Sequence, residues 1–260
     1  MHSVTTGPVA GHGTLLLHGA GGAPEANFPF QAELPGRVVA PYYPGTGPAP
    51  VASHVDVDSL VALGLEAADD AGLESIDVVG YSLGAAVAVR LAAQRPDRVR
   101  RLVLATGFAH ASPSLRMACG TWLALLERAG DPEQARAVGR FLAWVSSSEQ
   151  HWSGAGADGE GVLDPDEVAA LIGANIPPGT AALVDLIRTL DVRPDLERVH
   201  ASTLVVVPTE DRLVHPAHAE ELATGIAGAQ KLDVHAGHNL GWETPEEFRK
   251  AIVKHLADAA

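Results

Sequence analysis

One cysteine, Cys119, occurs in 260 residues, so no internal disulfide can form and no paired-cysteine metal site is available. Cys119 falls in an apolar helical pattern with Trp122, Leu123, Leu125 and Leu126, which points to a buried core thiol rather than a nucleophile. No apolar run approaches the roughly 20 residues that span a bilayer. Cationic side chains are scarce: 18 Lys and Arg stand against 32 Asp and Glu, a formal charge of −14, which argues against nucleic acid and anionic membrane as partners. There is no amino-terminal basic-plus-apolar segment, and with so little cysteine the expected location is cytoplasmic. His-Glu-x-x-His, a Walker loop and a dinucleotide fingerprint are all missing, so neither a metal nor an organic cofactor is expected. No internal repeat occurs. A chain of this length forms one large domain or two small ones and buries about three quarters of its extended surface.

What is present is organised around Ile76 to Ala88. A short β-branched run breaks at Gly80-Tyr81-Ser82-Leu83-Gly84 and continues with Val87 and Leu91 at helical spacing, so the stretch reads as strand, sharp turn, helix. Ser82 falls at the apex. So tight a turn needs neighbours with almost no side chain, which Gly80 and Gly84 supply, and it aims the amino end of a helix at the hydroxyl. Three fixed residues in five are common by chance, so this signal alone does not establish catalysis.

In chain order, the first dozen residues are too interrupted by glycine and proline for more than a short strand or two. Thr14 to Leu17 reads as a buried strand ending in His18-Gly19-Ala20-Gly21-Gly22, and Arg37 to Pro41 as another, followed by the loop Tyr42 to Pro48. His18 is read as a structural hydrogen-bonding residue, and Ala20 as a backbone donor facing the mouth of the sheet. A helix spans Asp58 to Ala71, with Asp58 or Ser59 available as its cap, and Val99 to Ala105 is a further strand. Strands alternating with helices imply a largely parallel sheet with active residues beyond its carboxyl ends. From Ala111 to Asp191 the alternation stops. Helices are expected at Leu115 to Ala129, Pro132 to Trp144, Pro165 to Ala174 and Thr180 to Leu190, with a glycine-rich piece, Ser153 to Gly161, read as a mobile loop. The block reads as a helical cap inserted into one domain, core 1–110 and 192–260, cap 111–191. The sheet resumes at Thr203 to Val207. A helix at Pro216 to Ile226, a strand at Lys231 to Val234 and a last helix at Pro245 to Ala257 complete the chain.

An alcohol needs a base within hydrogen-bond reach, and that base needs a partner to fix its tautomer. Among twelve histidines, His238 follows a strand end and faces the same edge as Ser82, with His235 as its rival. Asp211 also ends a strand, with Glu210 as the alternative acid. His110, Trp144, His151 and Trp152 are read as structural before substrate-facing.

Here the chain resembles the α/β-hydrolase superfamily almost from end to end. The resemblance rests on Leu17-His18-Gly19, Pro44-Gly45-Thr46-Gly47, the Gly80 to Gly84 turn, Asp211 with Pro216 nearby, and Gly237-His238 followed by Glu243, Pro245 and Phe248. It implies an α/β fold with an eight-stranded, mostly parallel sheet and an inserted helical cap. It also implies Ser82, Asp211 and His238 as a triad and the backbone N–H groups of Ala20 and Leu83 as an oxyanion hole. Two departures stand out: the amino-terminal region is short enough for the first strands to be truncated, and, with Tyr43 before Pro44, Tyr42 stands where an aspartate is common after the Ala-Pro pair.

The leading expectation is hydrolysis of an ester, thioester or lactone of a small-molecule acyl substrate through an acyl-enzyme on Ser82. A carbon–carbon bond hydrolase, an acyltransferase or cyclase, and a cofactor-free perhydrolase would show the same motifs. A ligand-binding protein that has lost its chemistry ranks below these. A dehalogenase ranks lower as well, because that branch has aspartate in place of Ser82.

Overall fold

A computed structural model describes residues 2–52, 54–127, 131–153 and 164–257. The strands are β1 (Ser3–Thr6), β2 (His12–Leu17), β3 (Arg37–Pro41), β4 (Ser75–Tyr81), β5 (Val99–Ala105), β6 (Ser202–Pro208) and β7 (Gln230–Val234). They form one sheet in the order β1-β3-β2-β4-β5-β6-β7, parallel except for β1, which runs antiparallel to β3 at the edge. The sheet is therefore the truncated form of the expected eight-stranded one. The shortening lies at the amino terminus, where β1 has only four residues before Gly7, at φ 74°, and Pro8 turn the chain away.

The helices are α1 (Pro24–Asn27), α2 (Val57–Asp70), α3 (Leu83–Gln94), α4 (Pro113–Leu126), α5 (Pro132–Ser146), α6 (Glu149–Trp152), α7 (Pro165–Ala174), α8 (Thr180–Thr189), α9 (Ala217–Gly225), α10 (Leu240–Glu243) and α11 (Pro245–Ala257). None of these is long and apolar enough to cross a membrane. The glycine-rich stretch expected as a mobile loop lies, from residue 154 on, outside the described residues.

Both faces of the sheet are covered, which is why its strands read as continuous apolar runs. Alternate residues Leu15, Leu17, Val78, Leu102, Leu104 and Val205 pack with α2, α3 and the segment after β5. Their neighbours Leu16, Val79, Val103 and Val206 pack with Phe28, Phe30, Phe248 and Ile252 on the opposite face. The cap of α2 is neither of the residues expected. Asp56, extended at φ −127°, accepts from the Ser59 N–H at 2.7 Å, and Ser59 Oγ accepts from the Asp56 N–H at 3.1 Å, forming a reciprocal capping box. Asp58 instead accepts from Gln94 Nε2 at 2.8 Å.

Helices α4 to α8 follow β5 and precede β6, beyond the carboxyl ends of the strands. α5 packs on α7 and α4 on α8. The segment meets the sheet's loops through close backbone approaches: the Gly179 N–H donates to Gly45 O at 2.9 Å, and a Cβ on Gly179 would fall 2.0 Å from Pro44 O.

Candidate active site

The turn between β4 and α3 places Ser82 at φ 55°, ψ −117°, a region that costs a non-glycine residue about 1–3 kcal/mol. The chain can hold it there because nothing else fits around it. A Cβ on Gly80 would fall 2.4 Å from Gly84 O, and one on Gly84 would fall 2.0 Å from Leu17 O. The Ser82 N–H donates to Ala105 O at 2.9 Å, tying the apex to the end of β5. There Thr106 is also left-handed, at φ 52°, so adjacent strand ends both carry backbone strain.

His238 arrives from the loop after β7, and Asp211 from the loop after β6. The pairing of these strands extends past their ends, with the Thr209 N–H on Val234 O at 2.9 Å and the Glu210 N–H on Ala236 O at 3.0 Å, so the two loops run side by side. His238 Nε2 is 3.1 Å from Ser82 Oγ, and Nδ1 is 2.7 Å from Asp211 Oδ2. The other Asp211 oxygen accepts from the N–H groups of Leu213 at 2.9 Å and Val214 at 2.8 Å, which fixes the carboxylate's orientation. Ser82, Asp211 and His238 are each no more than 6% exposed. With Nδ1–H donated to the carboxylate, Nε2 carries the lone pair and can accept the serine proton, an arrangement suited to nucleophilic attack.

The two rivals from the sequence are brought together elsewhere. His235 Nε2 and Glu210 Oε1 form their own pair at 3.0 Å, with His235 largely in solvent. His18 is fully buried beside the site. Its Nδ1 donates to Gly19 O at 2.7 Å and its Nε2 accepts the Tyr43 N–H at 3.1 Å. Burial lowers its pKa to about 4, so it is a neutral structural group. Its ring lies 4.1 Å from that of Tyr43, and the Tyr42-Tyr43 departure is accommodated in two ways: the Tyr43 N–H bonds the imidazole and the Tyr42 hydroxyl donates to Glu25 Oε1. Burial pushes the Cys119 thiol up to about 12, as a core cysteine should be.

The loop after β2 lies against the serine, since a Cβ on Gly19 would sit 3.3 Å from Ser82 Cβ. Ala20, next in that loop, is 3% exposed. Leu83 is the first residue of α3, where a helix N–H has no intrahelical acceptor. The Trp122 ring of α4 covers Gly21, where a Cβ would meet it at 2.7 Å.

Three further residues support the site. The hydroxyl of Tyr81 donates to His238 O, and its ring stands edge-on to the imidazole at 5.8 Å. Glu243 accepts from the Gly237 N–H at 3.1 Å, the Ser148 N–H at 3.1 Å and Ser148 Oγ at 2.5 Å. It thereby joins the histidine loop to the segment between α5 and α6. The Asn239 N–H adds a bond to Ser146 O at 2.9 Å. Glu243 had a sequence signal in its place in the Gly237 to Phe248 pattern, but its partners at 146–148 had none.

Comparisons with known proteins agree with this fold. Residues 14–251 match the profile of the Alpha/beta hydrolase family. A Xenorhabdus hominickii protein named pyrrolizixenacetamide deacetylase is 30% identical over 246 residues, covering 92% of this chain and 88% of that protein. A Caulobacter sp. (strain K31) protein, RutD, provisionally named a carbamate hydrolase, is 28% identical over 270 residues, covering all of this chain and 96% of its own. Among solved structures, MGS-M2, an alpha/beta hydrolase enzyme from a Medee basin deep-sea metagenome library, superimposes with a TM-score of 0.84. It is 18% identical over 100% of this chain and 94% of its own.

Proposed function

Because the chain belongs to the alpha/beta hydrolase family, we propose that it is a serine hydrolase that cleaves small-molecule carbonyl substrates through an acyl-enzyme on Ser82. The observation that carries this reading is the unbroken line Ser82 Oγ, His238 Nε2, His238 Nδ1, Asp211 Oδ2, at 3.1 and 2.7 Å. Ser82 Oγ attacks the carbonyl carbon as His238 Nε2 takes its proton, and Asp211 stabilises the imidazolium. The N–H groups of Ala20 and Leu83 are assigned to the oxyanion, each worth on the order of 100-fold in rate. Collapse expels the leaving group with the proton from His238. Water then enters, loses a proton to the same nitrogen and releases the acid and free Ser82.

The substrate class follows from the same site together with the relatives. Esters, thioesters and lactones fit a serine nucleophile with this hole, and the names of the two relatives extend the range to acetamide- and carbamate-type carbonyls. In the same reading, the segment 111–191 is a cap on the core formed by 1–110 and 192–260, with Trp122 and the 146–148 turn as its contacts to the site. The lone, buried Cys119 suits a reducing, cytoplasmic setting. The test is turnover of a panel of short esters, thioesters, lactones, acetamides and carbamates by wild type and Ser82→Ala. Ser82-dependent hydrolysis supports the reading, and hydrolysis that survives the substitution defeats it.

A further inference from the structure

Near the Asp211 loop, three potential ligands converge outside the machinery described above. His110 follows β5, and His218 and Glu221 lie one turn apart on α9. One nitrogen from each ring and one Glu221 oxygen all lie within 4.8 Å of one another. His110 Nδ1 is 2.9 Å from Glu221 Oε2, and the two imidazole centroids are 5.8 Å apart. We propose that His110, His218 and Glu221 form a site for a divalent transition metal of the zinc type, bound by two imidazoles and one carboxylate with a remaining position open to water.

The chemistry of the donors selects the metal. Two imidazoles and a carboxylate suit zinc, cobalt or nickel, whereas calcium and magnesium require oxygen ligands. Drawing ligand atoms now up to 4.8 Å apart into one coordination shell needs only small side-chain movements, because His110 and Glu221 are both about one-third exposed. His218 is 93% buried, and Ser112 Oγ lies 3.0 Å from its Nε2, so that ring is held in place by an outer hydrogen bond of the kind that orients metal-bound imidazoles. The surroundings suit a cation. Arg193 lies within electrostatic range of Glu221, and Asp191 holds it at 2.5 Å. Asp191 is also bridged to His110 through the backbone.

A metal here would tie the exit of β5, where the helical segment begins, to α9, which follows the Asp211 loop. That is a structural role, so the proposal does not depend on the hydrolase reading. No spacing motif announces the site because His110 comes from a different element than His218 and Glu221. The test uses chelator-treated full-length protein titrated with Zn²⁺ by calorimetry and with Co²⁺ by visible absorption, alongside His110→Ala and Glu221→Gln. The expected result is one equivalent of Zn²⁺, cobalt d–d bands of a protein-bound ion, and a melting temperature that rises with Zn²⁺. Each variant should retain the wild-type circular dichroism and bind at least about tenfold more weakly. Failure of the wild type to bind either ion at up to millimolar concentration, or binding unchanged in both variants, would overturn it.

Discussion

Ser82, His238 and Asp211 can cooperate only if each proton sits on the correct atom, and the hydrogen bonds allow a single productive assignment: Nδ1–H to Asp211, Nε2 open to Ser82. Removing the hydroxyl in Ser82→Ala should therefore cost on the order of 10⁵- to 10⁶-fold in turnover. Asp211→Asn keeps the shape but can turn its amide toward the imidazole and reverse the tautomer, so its loss should be about 10⁴-fold in kcat with the fold intact. Near-normal turnover of Asp211→Asn would remove the carboxylate from the mechanism, and the Glu210–His235 pair offers no substitute next to Ser82. His18 gives a pH prediction of stability rather than activity. Its folded value of about 4 lies below the free value of 6.5. Between these values the unfolded chain binds a proton that the folded protein excludes, so the stabilising effect is complete above pH 6.5 and is lost as pH falls toward 4. This amounts to on the order of 3 kcal/mol. Urea midpoints across that range should fall less steeply in His18→Gln; an unchanged slope would contradict the assignment. At this scale the sequence was most informative for residues that end strands, since position at a strand end predicts direction. It was silent on Tyr81 and Ser148, whose roles depend on partners far away in the chain.

At the scale of elements, the β4-turn-α3 unit is shaped by steric exclusion more than by attraction. Gly84→Ala would drive a Cβ to 2.0 Å from Leu17 O, a backbone atom of the neighbouring strand, and should destabilise the protein by about 3 kcal/mol or more. Gly120, in α4, is the internal control. A Cβ there meets nothing within 4 Å, so Gly120→Ala should stabilise by about 0.5–1 kcal/mol through helix propensity and a less disordered unfolded chain. Thermal melts of the two variants should move in opposite directions, and a stabilised Gly84→Ala would refute the packing argument. The main strands and helices were legible because apolar runs bounded by glycine and proline fix their limits to within a few residues. The α2 cap was misread because the reciprocal bond between Asp56 and Ser59 begins one turn before the apolar stripe that marks the helix. α6, a single turn of four residues, is too short to have a periodicity.

Across the whole molecule, the helical segment and the sheet are joined at the histidine loop. Glu243 receives donors from Gly237 and Ser148, on both sides of that junction. Glu243→Ala leaves those donors unpaired and should cost about 3 kcal/mol of stability, together with a fall in kcat as His238 loses its frame. A variant that melts and turns over like wild type would show that the junction is held by other contacts. The helical block was legible from the break in strand alternation. Its attachment to the sheet was not, because the contacts at 146–149 and 179 join backbone and short polar groups to partners far away in the chain, which no residue pattern marks. The most direct measurement of the central claim is intact-mass spectrometry of wild type and Ser82→Ala after exposure to a small fluorophosphonate. One phosphonyl adduct is expected on the wild type, mapped to Ser82, and none on the variant. An adduct on both proteins, or none on folded wild type, would contradict Ser82 as an activated nucleophile.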